Sequence, residues 1–281
     1  ILQPHRVFLP LIGYLTKIHL QLINIFVTYC FLNILYKHIL KFQSRTITNV
    51  LLASLSTTMV VQFHYNFGGY PDILCYFFLL LAFINKERNV YPYIFFFIAL
   101  LTKETAIFTA LFFLTLKNFS KIKLVFTCVL YLPIYLYLNT GSYNLEHYLT
   151  PLQSDLMYWV NQSKPYIITG YFSSIKYLWI IVILYIFRDF RNSYPVVLLI
   201  IGISLQFMLG GDTTRFVSFM FLGLIFVVEK LKMDKFLFLN IFILFLNIVT
   251  AKYYVFAYGE MIILNESRLS FLNFFEIFNE N

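Results

Sequence analysis

The 281-residue chain reads as an all-α, polytopic integral membrane protein with about ten transmembrane helices, a class prediction that rests on three observations. The first is composition: 60% of residues are apolar and 12% charged, and the mean hydropathy is +0.77. Soluble domains carry roughly 25% charged residues, so this chain has too little polar surface to cover a globule in water. The second is that apolar runs recur along the chain with short polar connections between them. The third is that the 21 Lys and Arg, set against 13 Asp and Glu, gather in alternate connections rather than along one stripe. That is the pattern of membrane topology, not of a nucleic-acid interface, and no nucleic-acid partner is expected. The same composition excludes disordered and collagen-like chains. Cys30, Cys75 and Cys128 all lie inside apolar stretches and supply neither a disulfide framework nor zinc-ligand spacing.

Taken in order, residues 1–17 form an interfacial lead-in, because RVFLPLIGYLTK (Arg6–Lys17) is apolar but interrupted by Pro10 and Lys17. Residue 1 is Ile, with no charged n-region or cleavage motif before it, so an N-terminally truncated chain is expected. Ten apolar segments follow, at 18–36, 47–63, 72–84, 90–102, 104–116, 124–138, 174–187, 195–209, 216–229 and 236–252. Several are only about 13 residues, short of the roughly 20 a straight span needs. They require polar flanks that extend the helix, or buried neighbours that tolerate irregular backbone. The one long connection, 139–173, interleaves aromatic residues with Glu146, His147, Asp155 and Lys164, which suits interfacial helices. The tail, 253–281, falls on the same outer face. No repeat or linker divides the chain, so residues 1–281 make one membrane domain.

Orientation comes from the basic residues. The connections after segments 1, 3, 5, 7 and 9 hold Lys37, Lys41, Arg45, Lys86, Arg88, Lys117, Lys121, Lys123, Arg188, Arg191, Lys230, Lys232 and Lys235, which is 13 of the 21. The positive-inside bias makes that face cytoplasmic. The same count settles residues 90–116. One long helix with Lys103–Glu104 midway would move eight of the 13 basic residues to the wrong face, so two short segments meeting at an outward-facing Lys103–Glu104 are predicted.

The candidate chemistry lies on the other face. QFHYNFGGYPD places His64, Tyr65, Asn66 and Asp72 around two glycines and a proline; LLTKET places Lys103 and Glu104 between apolar runs; LGGDTTR places Asp212 and Arg215 at i and i+3; and PHR adds His5 and Arg6. Each has a structural explanation as well: Asp72 and Asp212 as helix caps, Lys103–Glu104 as an interfacial ion pair, Arg215 as a snorkelling side chain, His64 and Tyr65 as loop residues. His38, within a basic cluster, reads as part of that cluster alone. Ionisable groups this near a membrane are nonetheless functional candidates. Cations beside an apolar wall suit a lipid phosphate, and carboxylates suit removal of a proton from a hydroxyl nucleophile. The implied reaction is transfer from a lipid phosphate.

PHRVFLPLIGYL, FIALLTKETAIFTALFFL and GGDTTRFVSFMFLGLIF resemble segments of the GT-C glycosyltransferases, membrane enzymes that use polyprenyl-phosphate-linked sugars, such as protein O-mannosyltransferases and aminoarabinose transferases. The first resembles the entry to their second helix, the second a short helix pair with a Lys at the outer turn, and the third a late outer loop with Asp and Arg. The resemblance implies an inverting displacement that moves a sugar from the polyprenyl-phosphate donor to an acceptor hydroxyl on the outer or luminal face. Lys103, Arg215 and Arg6 would hold the donor phosphate. Asp212 and Glu104 would be catalytic carboxylates; the reading of the outer-face clusters adds Asp72 to these, and His64, Tyr65, Asn66 and His5 as candidate sugar or acceptor contacts. The resemblance admits a divalent metal, for which the sequence shows no ligand set. Partners are the lipid-linked donor and membrane lipids. These enzymes place an acidic residue in their first outer loop, whereas no Asp or Glu precedes Asp72. Either that residue lies upstream of Ile1, or the chain is not an active member. The other readings are a polysaccharide polymerase or ligase of another polytopic fold, and a lipid-linked-glycan transporter, for which charges at mid-membrane and inverted repeats would be expected.

Cysteines introduced at Lys41 and Lys232 should react with a membrane-impermeant reagent only from the cytoplasmic side, and cysteines at Asn66 and Asp155 only from outside. Labelling of any pair from the opposite side overturns the alternation.

Overall fold

A computed structural model describes residues 8–16, 19–66, 70–139, 164–206, 213–250, 253–255 and 261–263. Among them the chain is helical throughout, apart from a pair of three-residue strands. The helices are α1 (Phe8–Thr16), α2 (Leu20–Ile39), α3 (Arg45–Ser56), α4 (Met59–Asn66), α5 (Asp72–Ile84), α6 (Tyr91–Thr102), α7 (Ala110–Thr115), α8 (Lys121–Asn139), α9 (Lys164–Ile175), α10 (Trp179–Arg188), α11 (Tyr194–Leu205), α12 (Thr213–Val217), α13 (Phe221–Lys230) and α14 (Leu237–Val249). Antiparallel β1 (Tyr253–Val255) and β2 (Met261–Ile263) lie in the tail. The all-α class therefore holds. Two stretches, Leu20–Ile39 and Ile168–Arg188, are long and apolar enough to cross a membrane; four more apolar helices are shorter.

Element boundaries follow the predicted segments closely, with two corrections. The segment at 47–63 is two helices. The hydroxyls of Thr57 and Thr58 donate to the Ser54 and Leu55 carbonyls at 2.7 Å, closing α3 before α4 begins. The connection 139–173 is shorter than expected, because α9 begins at Lys164 and runs through a single 3₁₀ turn, Lys176–Leu178, into α10. Gly170, Ser173, Ser174 and Lys176 broke the apolar pattern without breaking the helical path. The remainder of that connection, with Glu146, His147 and Asp155, lies outside the described residues, as does most of the tail.

The reversal at Lys103 is present. Thr102 ends α6, Lys103 is extended (φ −155°, ψ 117°), and a 3₁₀ turn, Glu104–Thr109, leads into α7. The backbone N–H of Ser120 donates to the Tyr93 hydroxyl at 2.6 Å, and the Phe96 and Phe113 rings are 5.3 Å apart. A continuous helix would hold Tyr93 and Ser120 about 40 Å apart at 1.5 Å per residue. Only a hairpin brings them together.

α13 is the central element. Every residue from Phe221 to Val228 is buried, as expected for a helix that is apolar all round. α5 packs between α2 and α6, with Phe31, Tyr76, Phe83, Phe96 and Phe112 in the shared core. The periphery is apolar too. α14 turns Phe238 (84% exposed), Phe242, Phe245 and Ile248 outward, and buries Asn240, Ile243 and Asn247. That polarity is the reverse of a surface helix in a soluble protein. α2 repeats it, with Leu22, Phe26 and Tyr29 outside and Asn24 and Thr28 inside.

Close packing is sharpest where α11 crosses the Lys103 reversal. A Cβ on Gly202 would lie 2.3 Å from the Phe108 carbonyl oxygen, a backbone atom that cannot swing away. At Gly223 the nearest obstacle is the flexible end of Met220. Gly202→Ala should therefore lower thermal stability in detergent by about 1–3 kcal/mol, and Gly223→Ala by clearly less; equal losses would show that the α11 contact does not constrain the hairpin.

Candidate functional site

The bundle has two polar ends, assigned by which connections meet. At one, Lys86, Lys117, Asp189, Asn192 and Lys230 surround a common cavity, so the connections after α5, α7, α10 and α13 converge. His38 and Gln43 join them from the α2–α3 connection. His38 Nε2 lies 2.8 Å from Glu229 Oε1, and Lys86 Nζ donates to Glu229 Oε2 at 2.5 Å. Gln43 donates to the Val228 and Leu231 carbonyls and accepts from the Met233 N–H. This is the end where the basic connections were predicted to gather. His38 is thereby corrected: it is a buried partner of Glu229 rather than a member of a solvated cluster. The signal was Glu229 itself, a lone carboxylate in an apolar run that needs partners to be buried.

At the opposite end three side chains from three distant segments meet. Asp72 opens α5 behind Pro71. Arg215 Nη2 donates to Asp72 Oδ2 at 2.7 Å and Nε to Oδ1 at 3.3 Å, a side-on bidentate pair, while Lys103 Nζ donates to Oδ1. Asp72 and Lys103 are fully buried and Arg215 nearly so, at 7% exposure. Both cations lie over aromatic faces: Arg215 is 4.5 Å from the Tyr70 centroid and 5.3 Å from that of Phe63, and Lys103 is 5.5 Å from that of Phe219. The Tyr76 hydroxyl donates to the Arg215 carbonyl at 3.1 Å and fixes the short helix that carries it. The crevice beside Arg215, lined by Met59, Phe63, Tyr76, Thr214 and Ser218, has no room for even a water molecule.

His64 is buried next to this triplet, its ring 5.8 Å from that of Tyr76 and within electrostatic reach of Asp72, Arg215 and Lys103. Neither ring nitrogen has a hydrogen-bond partner among the described residues. Asn24 Oδ1, on α2, is similarly unmatched, although its Nδ2 donates to the Tyr70 carbonyl at 2.9 Å. Polar atoms left this way inside a protein are costly and call for an explanation.

One sequence expectation is corrected here. Lys103 does not face outward. Its extended backbone lets the side chain turn back into the bundle to Asp72, and Glu104 beside it is half-buried. Arg215 pairs with Asp72, 143 residues away; Asp212, the acid at i−3 from Arg215, lies outside the described residues. So do His5 and Arg6. Tyr65 and Asn66 belong to α4, but their side chains are not described. The rings of Phe63, Tyr70, Tyr76 and Phe219 were not singled out in the sequence, where 34 Phe and 22 Tyr hide any one of them. Lys176 was also overlooked. It is buried at φ 49° and donates to the Asn247 and Thr250 carbonyls at 2.9 and 2.8 Å, capping the end of α14. Among the described residues no three His, Cys, Asp or Glu side chains come together as a metal ligand set.

No protein-family model, curated protein or solved structure matches the chain.

The triplet makes an unequal prediction for its members. Asp72→Asn removes the carboxylate that both buried cations share and should cost about 3–5 kcal/mol. Lys103→Met leaves the bidentate Arg215–Asp72 pair in place and should stay within the ordinary range of about 0.5–3 kcal/mol. Thermal unfolding of the purified variants in detergent measures both; a smaller loss for Asp72→Asn than for Lys103→Met would refute the shared-carboxylate arrangement.

Proposed function

We propose that the chain is a multi-pass membrane glycosyltransferase of the GT-C kind, moving a sugar from a polyprenyl-phosphate donor to an acceptor hydroxyl at the outer or luminal face with inversion. The observation that carries this reading is the convergence of Lys103 and Arg215 on one buried position, occupied by the Asp72 carboxylate, at the end opposite the basic connections. The apolar periphery and inward-facing Asn residues of α2 and α14 support a bilayer around the bundle.

Two cations held against aromatic faces form a place for an anion. In the closed arrangement Asp72 fills it. A donor phosphate entering between Lys103 and Arg215 would take over their hydrogen bonds and free Asp72 as a carboxylate beside the reacting centre. The acceptor hydroxyl gives its proton to a carboxylate, Asp72 in this reading, as its oxygen bonds to the anomeric carbon from the face opposite the phosphate. The bond from anomeric carbon to phosphate oxygen breaks, and the polyprenyl phosphate departs with the electron pair. Lys103 and Arg215 stabilise the charge that grows on it. His64, buried next to the triplet with neither ring nitrogen in a well-formed hydrogen bond, would hydrogen-bond the sugar or the acceptor. Glu104, Asp212, Arg6, His5, Tyr65 and Asn66 remain candidates for the roles read from the sequence.

The test is transfer from a panel of polyprenyl-phosphate sugars by the purified protein in vesicles, without an ion gradient. Lys103→Met and Arg215→Met should fold and insert, yet lose about 100- to 1,000-fold in rate, the loss of about 2.7–4 kcal/mol of transition-state stabilisation. Arg215→Lys should recover only part, because an ammonium cannot reproduce the side-on fork. Gradient-driven transport with no transfer, or near-normal turnover in both Met variants, would overturn the proposal.

A further inference from the structure

The cavity at the basic end is built of different chemistry from the triplet and is far larger. It encloses about 410 Å³, within the roughly 300–1,000 Å³ of small-molecule sites. Its charged and amide-bearing walls are Lys86, Lys117, Lys230, Asp189, Asn118 and Asn192. Their existing partners decide what remains for a ligand. Lys86 is engaged by Glu229 and lies 4.0 Å from the Phe83 centroid. Both oxygens of Asp189 accept from Asn192 Nδ2 at 2.9 Å. Lys117 and Lys230 make no ion pair among the described residues, and Lys230 lies 5.6 Å from the Phe226 centroid in the cavity wall. Asn118 Nδ2 donates to Glu87 Oε1 at 3.2 Å. The exposed ammonium groups of Lys117 and Lys230, from two different parts of the chain, therefore border one half-open pocket whose lining carboxylate, Asp189, is already tied to an amide.

The surroundings narrow the chemistry. Phe187 and Phe190, next to Asp189 in sequence, are 82% and 76% exposed, so apolar rings stand open to the surroundings close to this polar space. Lysines bind phosphate as point charges, and amides add directional donors. We infer that this cavity is a phosphate-binding site, filled either by the head group of an anionic phospholipid of the cytoplasmic leaflet, with its chains against Phe187 and Phe190, or by a soluble phosphate ester. The site stands independently of the transfer reaction, since it shares no residue with the triplet, and an inactive transferase would bind the same ligand.

The experiment measures binding rather than turnover. Protein is reconstituted in phosphatidylcholine vesicles, and then in the same vesicles with added phosphatidylglycerol or with inorganic phosphate in the buffer. Thermal stabilisation is followed against concentration of each. The Lys117→Gln/Lys230→Gln variant is compared with Lys232→Gln/Lys235→Gln, which removes the same charge from the same end but outside the cavity. Saturable stabilisation is expected, weakened about tenfold or more in the first variant and retained in the second. Response to phosphatidylglycerol alone identifies the head group, and response to inorganic phosphate identifies a soluble ester. Asp189→Asn should tighten binding by removing the opposing charge. Response to neither probe, or equal weakening in both double variants, would show only diffuse attraction to basic loops and overturn the proposal.

Discussion

A carboxylate buried away from water must be matched where it lies, and at Asp72 that requirement reaches through most of the chain. Its partners come from 31 and 143 residues away, so α5, the Lys103 reversal and α12 are held to one another by charge before any apolar contact is counted. The requirement also explains irregular backbone. Pro71 stands at the N-cap, so that α5 begins on the acid. α6 ends one residue before Lys103, whose extended conformation redirects its side chain. α12 is only five residues and passes through a 3₁₀ turn at Ser218–Met220 into α13. Each break serves a side chain that would point elsewhere from a continuous helix.

The same logic operates at the other end in a softer form. Glu229 is matched by His38 and Lys86, and Gln43 takes up the carbonyls that α13 leaves at its C-terminus. α13 is thus pinned at both ends: through Gln43 and Glu229 at one, and through α12 and Arg215 at the other. An apolar helix surrounded by apolar neighbours has little to fix its depth or rotation. The two polar ends supply that specification, in keeping with the use of buried polar groups to set register.

The helical segments were legible because apolar runs and basic connections obey strong constraints that act locally. The count of Lys and Arg even separated a hairpin from a long helix at 90–116, which hydropathy alone could not. What escaped the sequence was direction. Lys103 was recognised as unusual, yet its rotation into the core depends on one residue's φ and ψ. Asp72 reads as a helix-start acid, but its partners Lys103 and Arg215 are non-local, and in sequence each of those cations lies nearer to another carboxylate, Glu104 or Asp212. Lys176 went unnoticed because one cation in an apolar stretch gives no hint that two carbonyls of α14 will receive it. The helical start at Lys164 was obscured by Gly170 and two serines. Apolar periodicity marks where helices run, and it carries no information on which distant side chains meet.

The brevity of the central helices has a consequence for the bilayer proposed around them. α5 has 13 residues, and α6 and α11 have 12 each, so at 1.5 Å per residue they extend about 18–20 Å against a hydrocarbon layer of about 30 Å. α2, with 20 residues, matches that layer in full. A body whose long stretches, Leu20–Ile39 and Ile168–Arg188, stand beside a short middle does not meet a flat membrane evenly. Lipid beside the short helices must thin, and the surface there dips toward the mid-plane. The ends of α6 and α11 would then lie in a depression of the membrane rather than on its crest. In the transfer proposed above, the phosphate of the lipid donor would reach that depth without leaving its own layer.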